Sequence, residues 1–315
     1  MTTQSMTTQS PPCAASSITA MEPLAGTAPY ARAWIVLEEP GSWGREALRD
    51  SGLDRELVEH LTHALTAYGV RSVLARHPSR RRLEIDAARN VWVATCTQSA
   101  AQGRHGYVAD VREILQWDLE ALGLGELPGF GSDIEHPWQF VCTHSKRDTC
   151  CATLGRRYVG ERSRDLGLAP TDLDSEVWEC SHLGGHRFAP TSLFLPSGRL
   201  YGRLDRYPPF PQMSEPPADA LRGASYLDPV EQVADQAIRR LLKLPYTTTT
   251  HVRATDQGGD ERERRMIVDV QGTDRWLVDC SAGTVASPAS CGADSTGRTV
   301  WRVNKIEKYE QPHGV

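Results

Sequence analysis

The chain has 315 residues, 39% of them hydrophobic, and a formal charge of −5. That length can bury a core in two domains with a small third, and so acidic a balance argues against a nucleic-acid binder. The basic runs, Arg80-Arg81-Arg82 and Arg262 to Arg265, are short, lie near acids and are expected on a solvated surface.

No run approaches the ~18 apolar residues of a membrane span. The start, MTTQSMTTQSPPCAASS, lacks the basic and apolar regions of a signal peptide, so a cytoplasmic protein is expected. The Thr, Ser, Gln and Pro content there predicts a disordered tail over 1–28. Next, ARAWIVL (31–37) predicts a buried strand, and Leu57, Leu61, Ala64, Leu65 and Tyr68 share one face of a helix over 54–68. Strands follow at 70–76 and 90–96, and the spacing of Val111, Ile114, Leu115, Asp118 and Leu122 predicts a helix opening at Asp110. This is an N-terminal α/β half, 29–130. The glycine-rich GLGELPGFGSD (123–133) marks a boundary or long connection.

The pattern then restarts. WQFVC (138–142) predicts a strand, Cys151 to about Arg164 a helix, SEVWEC (175–180) a strand, and SLFLPSGRLYGRL (192–204) a hairpin turning at Pro196-Ser197-Gly198. Asp228-Pro229 opens a helix to about Leu242. The order β-α-β, hairpin, α over 131–245 is what a thioredoxin-like core needs. Four strand-like segments, TTTTHVRA, RRMIVDVQ, DRWLVDCSA and TVWRVNKIE, predict a small antiparallel β appendage over 246–315.

Of eight cysteines, four, Cys142, Cys150, Cys151 and Cys180, crowd into 142–180, whereas Cys13, Cys96, Cys280 and Cys291 stand isolated and are expected to be buried or incidental. Without a secretory leader, thiols are free, catalytic or metal-bound rather than paired. Cys142 ends a strand, and Cys150 and Cys151 sit at a helix start, where unpaired N–H groups favour thiolate. About 30 residues on, another strand delivers His182-Leu183-Gly184-Gly185-His186. A Gly-Gly pair costs ~2 kcal/mol in a helix interior, so the two imidazoles belong to a loop rather than to one helical face. Glycine there admits positive φ and lets backbone N–H groups approach an anionic group. Two ligands from each of two strand-end loops leave three chemistries open: a 2Fe-2S cluster, a structural zinc that stabilises a binding module, or a metal-free thiol–disulfide oxidoreductase using Cys142, Cys150 and Cys151. His144 is expected beside the ligands, Arg147 and Asp148 as a local ion pair, Cys180 in the core, and Arg187 and Phe188 on a partner-docking surface.

The combination C-x-H-x-x-R-D-x-x-C (Cys142, His144, Arg147, Asp148, Cys151), W-E-C-S-H-x-G-G-H-R-F-A and L-P-S-G-x-L-Y-G-R strongly resembles the sucrase/ferredoxin-like family. That resemblance implies a thioredoxin-like 2Fe-2S ferredoxin domain over 131–245 and makes the preceding α/β half a candidate degenerate duplicate. It implies Cys142 and Cys151 on one iron and His182 and His186 on the other, with Cys150 competing with Cys151, and Gly184, Gly185, His144 and Arg187 lining the cofactor. Two thiolates and two neutral imidazoles leave an oxidised cluster at charge 0, against −2 for four thiolates, so its potential should lie above the about −400 mV of plant-type ferredoxins. The expected protein is a one-electron carrier for unnamed redox proteins rather than a stand-alone enzyme; no carboxylate pair for glycoside hydrolysis, nucleophile elbow or phosphate loop is identifiable.

Overall fold

A computed structural model describes residues 11–79, 88–98, 101–168, 175–255, 261–271 and 274–309; the Arg80-Arg81-Arg82 run lies outside them. After α1 (Cys13–Thr19), the first half comprises β1 (Ala33–Glu38), α2 (Arg55–Tyr68), β2 (Val70–Arg76), β3 (Arg89–Cys96), β4 (Ala101–Val108) and α3 (Leu119–Leu124). The second comprises β5 (Ser132–Asp133), β6 (Trp138–Cys142), α4 (Arg156–Asp165), β7 (Val177–Cys180), β8 (Ser192–Leu195), β9 (Arg199–Tyr201), β10 (Leu221–Ala224) and α5 (Pro229–Leu242). Both halves contribute to one ten-stranded sheet, in the order β10-β9-β8-β6-β7-β2-β1-β3-β4-β5.

The strand order repeats. In the first half β2 and β1 are parallel and β3 and β4 follow antiparallel; in the second, β7 and β6 are parallel and β8 and β9 follow antiparallel. The halves meet edge to edge where β2 pairs antiparallel with β7, Ala75 opposite Cys180 and Arg76 opposite Glu179. A largely buried 2.9 Å ion pair between Arg76 and Glu179 closes that seam.

Alternation along the strands sorts side chains to two faces. Ala33, Ile35 and Leu37 of β1 pack with α2 and α3, and Val141 and Val177 with Tyr158 and Val159 of α4. Trp34, Val36, Trp92, Phe140, Cys142, Trp178 and Cys180 share the other face, which the sheet curls around. Trp92 bridges the halves, its ring 5.2 Å from Trp138, 5.1 Å from Phe140 and 4.7 Å from Trp178. The curl brings the Cys96 thiol to 3.8 Å from the Pro196 carbonyl in the β8–β9 turn.

Two expectations need correction. The helix expected from Asp110 is broken: a 3-10 turn over Val111–Gln116 ends at an extended Trp117, and α3 starts anew. Two capping aspartates explain the break, Asp110 accepting from Arg112 N–H and Asp118 from Ala121 N–H. The described part of the expected tail, 11–28, is ordered. Its α1 buries Cys13, Ala14 and Ser17, and Glu22 pairs with Arg187 at 2.8 Å; small residues permit close packing despite little apolar area.

The appendage strands form as expected: β11 (Thr250–Ala254), β12 (Glu263–Val270), β13 (Arg275–Pro288) and β14 (Ser295–Lys308) pair in sequence as an antiparallel sheet. Its inner face, with Val252, Met266, Val268 and Val278, packs on Val233, Ala234 and Ile238 of α5.

His105, opposite Trp92 on β4, stacks on that indole at 4.8 Å, and burial pushes its imidazole from 6.5 down to about 4. The unfolded chain takes up this proton near pH 6.5 and the folded chain only near 4. The contribution to stability is therefore complete above about pH 6.5 and falls as pH drops through that window. Urea unfolding of His105→Gln should show a shallower loss of stability between pH 6.5 and 4 than wild type; parallel profiles would contradict this.

Candidate metal centre

The site begins with a strand pair. β6 and β7 run parallel with Cys142 level with Cys180, so both chains leave the sheet at the same end, where open α/β sheets place their ligands. Thr143 N–H donates to Cys180 O at 3.1 Å, holding the two exits together.

After β6 the chain loops through 143–150 and re-enters helix by a wide π-type turn over Cys151–Gly155 that runs into α4. Gly155 lies against the Cys142 carbonyl so closely that any Cβ there would overlap its oxygen. This folds the helix start back over the strand end and brings Cys151 to Cys142. After β7, Ser181 locks onto β2, its N–H donating to Leu74 O at 2.7 Å and its hydroxyl accepting from Leu74 N–H at 3.0 Å. The histidine segment then turns through Gly184 (φ 79°) and Gly185 (φ 70°), the left-handed backbone expected of a glycine loop. Beneath it the buried Arg222 donates to Gly184 O at 2.9 Å and to Thr27 Oγ1 at 3.1 Å, and also to Thr27 O.

These loops converge. Donor atoms of Cys142, Cys151 and His182 all lie within 4.8 Å of one another, and the His182 and His186 rings stack at 5.0 Å. Neither ring nitrogen of His186, nor Nδ1 of His182, has a hydrogen-bond partner at regular geometry although all three are buried. Buried polar atoms left unpaired are costly and call for an explanation; a ligand accepting these lone pairs is one. The Cys142 thiol is held well below its ordinary range, first because Cys151 donates to it, then by His182 and the His144 N–H, against burial. The same contact pushes Cys151 up. Burial lowers His186, opposed by Asp148, which keeps the imidazole neutral and able to ligate.

The neighbouring residues differ in part from expectation. His144 Nε2 donates to Gly44 O at 2.7 Å, pinning the loop after β6 under the first half. Arg147 pairs with Glu46 at 2.8 Å, not with Asp148. Arg187 is tied to Glu22 and lies 4.4 Å over the Phe188 ring, so its head is engaged within the chain. Cys180 is buried in the core. Cys150, the competitor of Cys151, joins a different group.

That group was not legible from spacing. Cys13, Cys150 and Cys291 converge with Asp148: the sulfurs lie 3.6, 3.4 and 3.6 Å apart, and Asp148 Oδ1 is 3.6 Å from Cys13 Sγ and 3.5 Å from Cys291 Sγ. Cys13 and Cys291 are therefore not isolated. Cys150 is drawn down to about 6, chiefly by its hydrogen bond from Cys13, against burial. Asp148 stays below its ordinary range against burial, because Cys291 and Cys150 donate their N–H groups to it. The only signal in the sequence was Cys150 itself, a spare thiol beside Cys151.

The sucrase/ferredoxin-like family model matches residues 24–208, more than half of the chain. The chain belongs to the sucrase/ferredoxin-like family. No curated protein and no solved structure matches it. The sucrase/ferredoxin-like match spans Cys142, Cys151, His182 and His186 and leaves Cys13 and Cys291 outside.

Gly155→Ala should lower the unfolding free energy by about 1–3 kcal/mol through overpacking against Cys142. Gly160→Ala on the same helix, where a Cβ meets nothing within 4 Å, should raise it by up to ~1 kcal/mol. Chemical denaturation of the pair checks this, and equal effects would contradict the close approach.

Proposed function

We propose that this protein carries single electrons through a 2Fe-2S cluster held by Cys142 and Cys151 on one side and His182 and His186 on the other. One observation carries the reading: two hydrogen-bonded thiols and two stacked imidazoles, with His182 Nδ1 and both His186 ring nitrogens buried and without a regular hydrogen bond, meet at the ends of adjacent parallel strands. When bound, such a cluster supplies a one-electron couple whose potential its ligand charge sets.

The chain's own residues supply the rest. Cys142 and Cys151 are buried and exclude water from the thiolate side. His182, Gly184, Gly185 and His186 are only half-buried, which makes the histidine side the route by which an electron reaches a partner protein. Arg222 fixes the glycine loop and with it the imidazole spacing, while Gly184 and Gly185 keep side chains away from the cofactor. We read each half of the sheet as a thioredoxin-like unit, the first without ligands. The burial of Cys142, Cys150 and Cys151 disfavours thiol–disulfide exchange, which needs an accessible sulfur. Among the described residues no helix is long and apolar enough to cross a membrane.

Purified protein should be red-brown, bleach with dithionite and contain about two irons and two labile sulfides per chain. His186→Cys should retain the cluster at a lower potential, because a thiolate replaces a neutral ligand. Colourless protein whose only metal is zinc bound through Cys142 would contradict the proposal.

A further inference from the structure

The second thiol group lies outside the cluster site just described and has the dimensions of a single-ion site. A tetrahedral metal with bonds of about 2.3 Å to sulfur and about 2.0 Å to oxygen sets its ligands roughly 3.8 Å apart for a sulfur pair and roughly 3.5 Å for sulfur and oxygen. Here the three sulfurs stand 3.4–3.6 Å apart and the Asp148 oxygen 3.5–3.6 Å from two of them. A polynuclear cluster spreads its thiolates over different metals and needs more room than a triangle of sulfurs in contact.

We propose that Cys13, Cys150, Cys291 and Asp148 bind one zinc ion. Three thiolates and a carboxylate form a closed tetrahedral set of the kind that structural zinc takes. Its second layer is in place: Cys150 N–H and Cys291 N–H donate to Asp148 at 2.8 and 2.9 Å, fixing the carboxylate, and Cys13 N–H points at Cys291 Sγ at 3.5 Å. Apolar packing of thiols gives no reason to bring a carboxylate among them, and a disulfide would use two of the sulfurs and strand the third. Binding displaces whatever thiol protons the three cysteines still hold and no electrons, so it needs neither oxidant nor reductant.

The ligands come from three distant places: α1, the loop after β6, and the turn between β13 and β14. One ion therefore clamps α1 and the β13–β14 turn onto the segment that leads into Cys151. Asp148 is also 3.9 Å from His186 Nε2, so the clamp braces the cluster's histidine side as well. Cys13 and Cys291 lie outside the family match, so the clamp is a property of this chain's flanking segments.

Elemental analysis of the full-length protein tests the assignment. Wild type should contain about one zinc per chain. Cys13→Ser and Cys291→Ser should lose the zinc, whereas Cys142→Ser should keep it, whatever that variant's iron content. Wild type reconstituted with cobalt(II) should show the intense visible bands of tetrahedral thiolate coordination, a readout that does not depend on any variant folding. Zinc-free wild type with a disulfide among Cys13, Cys150 and Cys291, or zinc retained in both serine variants, would overturn the proposal. Loss of iron from Cys142→Ser, or iron-free wild type, bears on the electron-transfer reading alone.

Discussion

The parallel pairing of β6 with β7 is the constraint on which the site depends. It holds Cys142 level with Cys180, so the cysteine loop and the histidine loop leave the sheet side by side although Cys151 and His182 are about 30 residues apart in sequence. A slip of one residue would turn Cys142 to the opposite face of the sheet, into the layer where Val141 packs on α4. The close approach of Gly155 to the Cys142 carbonyl acts on that same strand end, which is why a backbone contact governs the meeting of two thiols.

Among its described residues the first half places no Cys, His or acidic side chain in the group of Cys142, Cys151 and His182, yet it encloses that group. Its β2 extends the sheet beside β7, Trp92 fills the space under Phe140 and Trp178, and Gly44 and Glu46 hold His144 and Arg147. The hydrophobic layer between the halves is therefore shared, and unfolding one half would expose apolar surface on the other. Repetition of one strand order in both halves supplies two edges that fit each other, β2 and β7, which ordinary antiparallel hydrogen bonding can join.

Strong local patterns were legible in the sequence. β2 and β6 have the bounds their apolar runs suggest, α5 begins at Pro229 after Asp228 as its cap signals indicate, and the glycine pair forms a loop. What local pattern does not encode was missed. β4 carries two glycines and mixes exposed, part-buried and buried positions on both faces, and β10 is four residues long, so neither shows a period. The order in α1 arises from contacts with residues far along the chain, as does the grouping of Cys13 with Cys291. Asp148 looked like the partner of its neighbour Arg147, but adjacent side chains in a turn point apart, and each found a distant partner. The main ligand set was suggested by a spaced family motif; the three-thiol group has no such motif, because its members sit on segments that only tertiary folding brings together.

The central claim is that two imidazoles, not four thiolates, complete the cofactor site. Pulsed EPR on the dithionite-reduced protein carrying nitrogen-15 histidine measures this directly. The account predicts two strongly coupled histidine nitrogens on a 2Fe-2S signal, one of them absent in His182→Cys. A 2Fe-2S signal with no directly coordinated nitrogen would contradict it.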